Sequence, residues 1–209
     1  MKRPVFIARQ SARPSGVLGR LIANVMAHET ADFNERAVRL LDPSPSDSVL
    51  EIGFGHGRTI ERLARAVPEG RVCGLDVSRA MLDMAVRRNR RAVAAGRVEL
   101  RMSDAASIPY EDKSFGKALT VHTLYFWTDP IPCLREIRRV LKPRGRFVLG
   151  FLRGDSAQRF RFPKEIYTFH DEQSVRAMLE ACDFGSVQFF RIGEASLARA
   201  TATEAGVPE

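Results

Sequence analysis

The sequence contains few cysteines and no long apolar run. Its three cysteines, Cys73, Cys133 and Cys182, have spacings that match neither a disulfide framework nor a zinc site, which favours a reducing compartment. No apolar stretch approaches the roughly 20 residues that cross a bilayer, and the basic N-terminal residues lack the apolar core of a signal peptide. We therefore expect a soluble, cytoplasmic protein with no transmembrane segment and no metal site.

The chain has fewer acidic than basic residues. Its 25 aspartates and glutamates and 33 lysines and arginines give a formal charge of +8. Such an excess of positive charge suggests an anionic partner, either nucleic acid or an anionic membrane surface. The densest basic run, residues 87–91, lies in a predicted helix whose apolar residues form one buried stripe, so its arginines are expected to face water. A solvated helix face is the favoured interpretation, and nucleic acid is kept as an alternative partner.

The dinucleotide-binding fingerprint G-x-G-x-x-G is absent as well. Residues 48–52 predict a buried strand that runs into glycines at 53, 55 and 57, but the fingerprint needs its third glycine at position 58, which is Arg58. A helix is predicted next, and a second apolar run over residues 71–75 then ends in Asp76. A carboxylate at that strand end can accept hydrogen bonds from ribose hydroxyls. The pattern indicates a βαβ unit that binds a nucleoside other than a dinucleotide.

Glu51 stands two residues before the first of these glycines. The resulting pattern E-x-G-x-G-x-G resembles the first motif of the class I S-adenosylmethionine-dependent methyltransferases. Five later segments resemble further elements of that family in the same order, namely residues 78–85, 103–105, 108–115, 134–145 and 168–184. The resemblance covers residues 36–200 and looks closest to the small-molecule branch (type 11) that includes the ubiquinone and menaquinone biosynthesis methyltransferases. The chain departs from the family pattern at Gly116, where aspartate is usual, and at Arg144, where glycine is usual.

The resemblance implies an α/β fold. It would be a Rossmann-like, doubly wound, mainly parallel seven-stranded sheet with an antiparallel last strand and N-terminal lid helices. The implied division is a basic arm and lid helices over residues 1–45, an S-adenosylmethionine-binding methyltransferase domain over 46–203, and a disordered tail over 204–209. Local patterns predict a weakly ordered arm over 1–15, helices over 17–26 and 32–41, and closing strands over 187–192 and 195–202.

S-adenosyl-L-methionine is the cofactor that the resemblance implies. Asp76 would hold its ribose hydroxyls, Asp104 would accept from its adenine amino group, and Glu51 would orient the glycine loop or meet its ammonium group. The glycines would let the backbone approach the cofactor. The full implied set of cofactor-binding residues is Glu51, Gly53, Phe54, Gly55, Gly57, Asp76, Val77, Met81, Asp104, Ala105 and His122.

The residues that follow the fourth predicted strand would face the reaction centre. His122 is the candidate catalytic residue, either as a general base or as a wall residue beside the methionine part of the cofactor. Tyr125, Phe126 and Trp127 either line an aromatic acceptor pocket or pack in the core, and Tyr167, in a basic and aromatic segment over residues 153–170, is a further acceptor-pocket candidate. Cys133 follows a proline, as does the nucleophile of cytosine carbon-5 methyltransferases, but its position at a helix start favours packing.

These features predict an enzyme that transfers a methyl group from S-adenosylmethionine to an oxygen, nitrogen or carbon of a small-molecule acceptor. The first alternative is a methyltransferase that acts on RNA or another nucleic acid. The second is a regulatory module that binds S-adenosylmethionine without catalysis, and a nicotinamide oxidoreductase is the least favoured interpretation. A homodimer is a further expectation for the assembly.

Overall fold

The computed structural model describes residues 5–16, 19, 30–154 and 162–204. Within these residues, seven strands form one sheet in the order β3-β2-β1-β4-β5-β7-β6. The strands are β1 (Ser48–Ile52), β2 (Arg71–Asp76), β3 (Val98–Met102), β4 (Phe115–Val121), β5 (Leu141–Leu152), β6 (Phe184–Ile192) and β7 (Ala195–Ala202). The helices are α1 (Val5–Ala12), α2 (Ala31–Leu41), α3 (Arg58–Ala66), α4 (Arg79–Arg88), α5 (Arg90–Ala94), α6 (Pro130–Val140) and α7 (Glu172–Glu180), with a 3-10 turn at Leu124–Phe126. Strands β1 to β5 pair in parallel and β7 is antiparallel to β5 and β6, which confirms the predicted fold class.

The alternation of side chains along each strand divides the core between the two faces of the sheet. Val49 and Val72 pack on the face that α2, α3 and α4 cover. Leu50 and Leu75 pack on the opposite face, against α6 and α7. Strands that are buried on both faces carry mostly apolar sequence, as β1 and β2 do.

Strand β1 lies in the middle of the sheet, between β2 and β4. The chain proceeds from β1 to β2 and β3 on one side and then returns to β4 on the other side. This reversal of strand order is a topological switch point. The loops that follow β1 to β4 meet there, at the carboxyl ends of these parallel strands. In open α/β sheets ligands bind in the crevice at this point.

The predicted weakly ordered arm over residues 1–15 is wrong for residues 5–12, which form α1. Ala8 is fully buried in a cluster with Tyr125 and Tyr167. That contact is long-range in sequence, so a local pattern could not show it. Helix α2 confirms the predicted second helix, whereas the helix predicted over 17–26 lies, apart from Gly19, outside the described residues.

The two closing strands are confirmed, and β6 begins at Phe184, before the predicted start at 187.

The structure describes the surroundings of both residues that depart from the family pattern, Arg144 and Gly116. Arg144 has a φ of 61°, in the left-handed region that disfavours side chains. A Cβ on Gly116 would lie 3.6 Å from Asp47 Oδ1, so an aspartate there would bring a second carboxylate close to Asp47. Residues 205–209 of the predicted tail lie outside the described residues.

Candidate active site

A cavity of about 450 Å³ lies at the switch point, which is within the size range of sites for one small-molecule ligand. The loops after β1, β2, β3 and β4 form its walls, and residues of α1 and α2 cover it. Twelve of the predicted site residues line it: Glu51, Gly53, Phe54, Gly55, Asp76, Val77, Met81, Asp104, Ala105, His122, Phe126 and Trp127. Gly57, Tyr125 and Tyr167 are not among its lining residues.

The three glycines after β1 all have positive φ, of 77° at Gly53, 53° at Gly55 and 80° at Gly57. They differ in their surroundings. A Cβ on Gly55 would meet no atom within 4 Å, so the cavity-facing side of this residue is open. A Cβ on Gly57 would lie 2.7 Å from Ala85 Cβ and 2.8 Å from Asn89 Nδ2. Gly57 therefore lets the glycine loop pack closely on α4, and Gly55 leaves room for a ligand.

Asp76 joins the glycine loop to the loop after β2. Its Oδ2 accepts the Gly55 N–H at 2.9 Å and its Oδ1 accepts the Ser78 N–H at 2.8 Å. Burial raises the pKa of this carboxyl, while the two backbone hydrogen bonds favour its ionised form. Each carboxylate oxygen has a second lone pair, so Asp76 can hold the loop and also accept from a ligand in the cavity.

Glu51 lies at the cavity wall with 4% of its surface exposed. Burial, together with the nearby Asp76, raises its pKa well above the ordinary value, and a side-chain hydrogen bond with Thr59 acts in the opposite direction. Its Oε2 is buried and has no hydrogen-bond partner among the described residues. An unpaired buried carboxylate oxygen is costly, and a cationic ligand group would supply the missing partner.

Asp104 and Ala105, the residues predicted to contact adenine, line the same cavity. Asp104 is exposed and its Oδ1 accepts the Ala106 N–H at 2.8 Å, which shapes the loop after β3. Ala105 beside it is buried, as are Phe54 and Met81 on the neighbouring loops. The cavity thus combines a carboxylate with an apolar surface on which a flat ring could rest.

His122 directly follows β4 and has an unusual backbone conformation, with a φ of 60°. Its N–H donates to Gly150 O at 2.8 Å, and its ring centroid lies 5.0 Å from that of Phe33. Burial lowers the pKa of the imidazole to about 4, so the ring is neutral at physiological pH. Backbone strain of this kind often marks functional sites, where the surrounding structure holds the residue in place.

The aromatic candidates separate into two groups. Trp127 and Phe126 line the cavity. Tyr125 and Tyr167 are buried behind them in an aromatic cluster that includes Phe162 and Phe169. The ring of Phe126 lies 4.8 Å from that of Tyr125 and 5.0 Å from that of Tyr167. The two tyrosines thus support the aromatic wall of the cavity, and neither belongs to its lining.

Several lining residues were missed by the sequence reasoning: Ser11, Arg13, Pro14, Thr30, Asn34 and Thr59. All but Thr59 lie before β1, in the N-terminal part of the chain, and none forms a local motif. The only signal available was the general expectation that an open sheet needs a cover over its strand ends.

Other sequence features have structural explanations. In the basic run, Arg88 Nε donates to His56 O at 3.1 Å and Asn89 Nδ2 donates to Gly57 O at 3.0 Å, so both residues hold the glycine loop. Cys133 is buried, and burial raises the pKa of its thiol to about 12, which suits a packing role. Among the described residues there is no group of three or more potential metal ligands, and no helix that is long and apolar enough to span a membrane.

Residues 50–149 match the family described as a methyltransferase domain. Demethylmenaquinone methyltransferase of Thermotoga maritima is 31% identical over 138 residues, which are 66% of this chain and 57% of that protein. The 27-O-demethylrifamycin SV methyltransferase of Amycolatopsis mediterranei is 31% identical over 121 residues, 58% of this chain and 44% of that protein. A methyltransferase structure from Aquifex aeolicus, described as SAM dependent, has the same fold, with a TM-score of 0.70 and 22% identity over 81% of this chain and 89% of that chain.

Fold, cavity and matched segment together define a class I methyltransferase domain. Residues 50–149 carry a domain of the methyltransferase family, as the sequence motifs predicted. It spans 31% to 66% of the length of the first curated relatives that it matches.

Proposed function

We propose that this protein transfers a methyl group from S-adenosylmethionine to an oxygen, nitrogen or carbon of a small-molecule acceptor. The observation that carries the proposal is the unpartnered Oε2 of Glu51 at the cavity wall. An ammonium group beside that oxygen would give it a partner and would favour the ionised carboxylate. The methionine part of the cofactor bears such an ammonium group.

The charge of the cavity supports the same ligand. Glu51, Asp76 and Asp104 line it, and among the described lining residues Arg13 is the only arginine or lysine. An acidic cavity disfavours the pyrophosphate of a dinucleotide and suits a nucleoside that carries positive charge. We therefore prefer S-adenosylmethionine over a nicotinamide cofactor on electrostatic grounds as well as on glycine spacing.

The remaining contacts follow from the positions of the side chains. Asp76 would accept from the ribose hydroxyls, and Asp104 would accept from the adenine amino group. Gly53 and Gly55 would bring the backbone close to the ligand. An apolar surface would contact the adenine, and it consists of Phe54, Val77, Met81 and Ala105.

S-adenosylmethionine supplies a methyl group on a positively charged sulfur. The protein's part is to align the acceptor with that group and to exclude water. Phe126 and Trp127 give the acceptor side an aromatic wall, and neutral His122 can accept a hydrogen bond from the acceptor's nucleophile. With a pKa of about 4, taking a full proton at pH 7 would cost about 4 kcal/mol. We therefore propose that His122 orients the acceptor, and the general-base role is the weaker alternative.

Isothermal titration calorimetry tests the cofactor assignment. The purified protein is titrated with S-adenosylmethionine, S-adenosylhomocysteine and NAD. Binding of the first two without binding of NAD supports the proposal, and binding of NAD alone contradicts it. Release of S-adenosylhomocysteine is then measured with panels of phenols, amines, enols and RNA.

These panels separate the remaining alternatives. Turnover that requires RNA and falls steeply with salt would favour the nucleic-acid methyltransferase. Cofactor binding without turnover on any panel would favour the regulatory module. The homodimer and the cytoplasmic location stay predictions, and sedimentation equilibrium would test the first.

A further inference from the structure

We propose that Arg13, in the segment that follows α1, binds the carboxylate of the cofactor's methionine part, and that Ser78 positions it through Pro14. The inference rests on the proposed function, because it assigns a further residue to the same site. It gives the N-terminal segment a specific binding role in addition to covering the cavity.

The first observation is the charge balance of the cavity. The cofactor carries a carboxylate as well as an ammonium group, and a carboxylate needs a cationic partner when it leaves water. Glu51, Asp76 and Asp104 would repel it. The imidazole of His122 is neutral and cannot offset its charge. Arg13 is the only arginine or lysine among the described lining residues.

The second observation is that Arg13 is available. Its backbone N–H donates to Arg9 O at 2.9 Å, as in a last helical turn. Its side chain is exposed and lines the cavity, and no described residue forms an ion pair with it. A guanidinium group presents paired N–H donors that match the two oxygens of a carboxylate.

The third observation is a specific anchor beside Arg13. The Ser78 hydroxyl donates to Pro14 O at 2.6 Å, and only 2% of Ser78 is exposed. The same residue donates its backbone N–H to Asp76 Oδ1. A short chain of hydrogen bonds therefore connects the proposed ribose carboxylate, Ser78 and the residue next to Arg13.

The anchor also brings Arg13 near the proposed ammonium site. Glu51 and Asp76 lie near the carboxyl ends of the paired strands β1 and β2, and Ser78 follows Asp76. The hydrogen bond from Ser78 therefore fixes the Pro14 carbonyl to this side of the cavity. An arginine side chain at position 13 can extend from there toward the amino-acid end of the ligand.

A matched pair of ligands tests the proposal. S-adenosylmethionine and decarboxylated S-adenosylmethionine share the sulfonium and the ammonium group and differ only in the carboxylate. Calorimetry with Arg13→Ala should show a roughly 10- to 100-fold weaker affinity for S-adenosylmethionine and little change for the decarboxylated ligand. Arg9→Ala removes the same charge from α1 at an exposed position outside the cavity lining, and it should leave both affinities unchanged.

Ser78 is tested as a positioning residue. Its side chain also caps α4 by accepting the Met81 N–H, so alanine would damage the helix as well. Ser78→Gly removes the hydroxyl donor while a glycine cap costs little, and Ser78→Thr keeps the donor. We expect Ser78→Gly to weaken S-adenosylmethionine binding more than binding of the decarboxylated ligand. Ser78→Thr should keep both affinities close to those of the unmodified protein.

The outcomes separate this inference from the proposed function. If the unmodified protein binds neither ligand, the proposed function fails and the inference fails with it. If it binds S-adenosylmethionine and Arg13→Ala weakens both ligands equally, Arg13 contacts another part of the cofactor or only supports the fold. If Arg13→Ala leaves S-adenosylmethionine binding intact, the carboxylate assignment is wrong while the proposed function stands.

Discussion

The carboxylate of Asp76 accepts the N–H of Gly55 at 2.9 Å. This hydrogen bond joins the end of β2 to the loop after β1, although the two residues are 21 positions apart. The residue that we propose to hold the ribose therefore also fixes the loop that faces the ligand. Because loop shape and ligand contact share one carboxylate, a substitution at Asp76 affects both, whereas substitutions of the loop glycines can separate effects on the fold from effects on binding.

Two glycines of the loop should respond differently to the same substitution. Gly57→Ala combines backbone strain at a φ of 80° with a contact of 2.7 Å to Ala85 Cβ, and it should cost about 2–4 kcal/mol of unfolding free energy. Gly55→Ala has the strain without the contact, so it should cost about 1 kcal/mol and weaken cofactor binding at least tenfold. Urea unfolding and calorimetry measure the two effects. Equal losses of stability in the two variants would contradict the distinction.

The buried carboxyl of Glu51 should make the ligand-free protein less stable as pH rises. Its folded-state pKa lies above the ordinary value of 4.5, so the folded protein holds this proton more tightly than the unfolded chain. The stability attributable to the group is fully present below pH 4.5 and declines as pH rises through the raised pKa. Glu51→Gln should remove this decline and weaken cofactor binding. Urea midpoints of the two proteins from pH 4.5 to 8 check it, and parallel curves would show that Glu51 does not titrate as described.

The half-buried imidazole of His122 should act in the opposite direction. Its pKa is about 4 in the folded protein, against 6.5 for an ordinary histidine. The unfolded chain therefore takes up a proton first, and stability falls as pH drops from 6.5 toward 4. Between pH 7.5 and 5 the unmodified protein should lose about 2 kcal/mol more than His122→Gln. Chemical unfolding at the two pH values measures that difference, and its absence would mean that the imidazole is hydrated and freely protonated.

The strained backbone at Arg144 should be relieved by glycine. Arg144 has a φ of 61°, and its ion pair with Glu204 is exposed and long, at 3.9 Å, so little is lost with the side chain. Arg144→Gly should gain about 0.5–1 kcal/mol, which corresponds to a rise of a few degrees in Tm. Lys142→Gly, at a neighbouring exposed position without positive φ, should instead lower the Tm. A lower Tm for Arg144→Gly would show that the arginine makes a contribution beyond that pair.

Much of the fold, and the side of the cavity that the glycine loop and Asp76 form, could be predicted because they depend on local patterns. The strand that contains Glu51, followed by the alternate glycines, places ligand-facing residues at a strand end independently of the rest of the chain. The N-terminal side could not be predicted in the same way. Helix α1 is ordered by the contact of Ala8 with Tyr125 and Tyr167, and Arg13 comes to the cavity through Pro14 and Ser78. Such contacts between distant segments leave no periodic signal in the sequence.

The positions of Gly57, Tyr125 and Tyr167 relative to the cavity also depend on contacts between distant segments, so the sequence could not predict them. Motif spacing treats the three glycines alike, and only the packing of Ala85 against the loop distinguishes Gly57 from Gly55. Aromatic residues after β4 are equally compatible with a pocket and with a core. Their side chains divide between the cavity, at Phe126 and Trp127, and the cluster behind it, at Tyr125 and Tyr167.

The most direct test of the central claim is calorimetric titration of S-adenosylhomocysteine into the unmodified protein and into Asp76→Ala. The substitution removes the proposed ribose acceptor and two charge-assisted backbone hydrogen bonds, each worth about 1.5–3 kcal/mol. We predict binding to the unmodified protein, and at least a 100-fold loss of affinity in a variant whose circular dichroism spectrum still shows the α/β fold. Unchanged affinity in the folded variant would contradict the assignment of this cavity as the cofactor site.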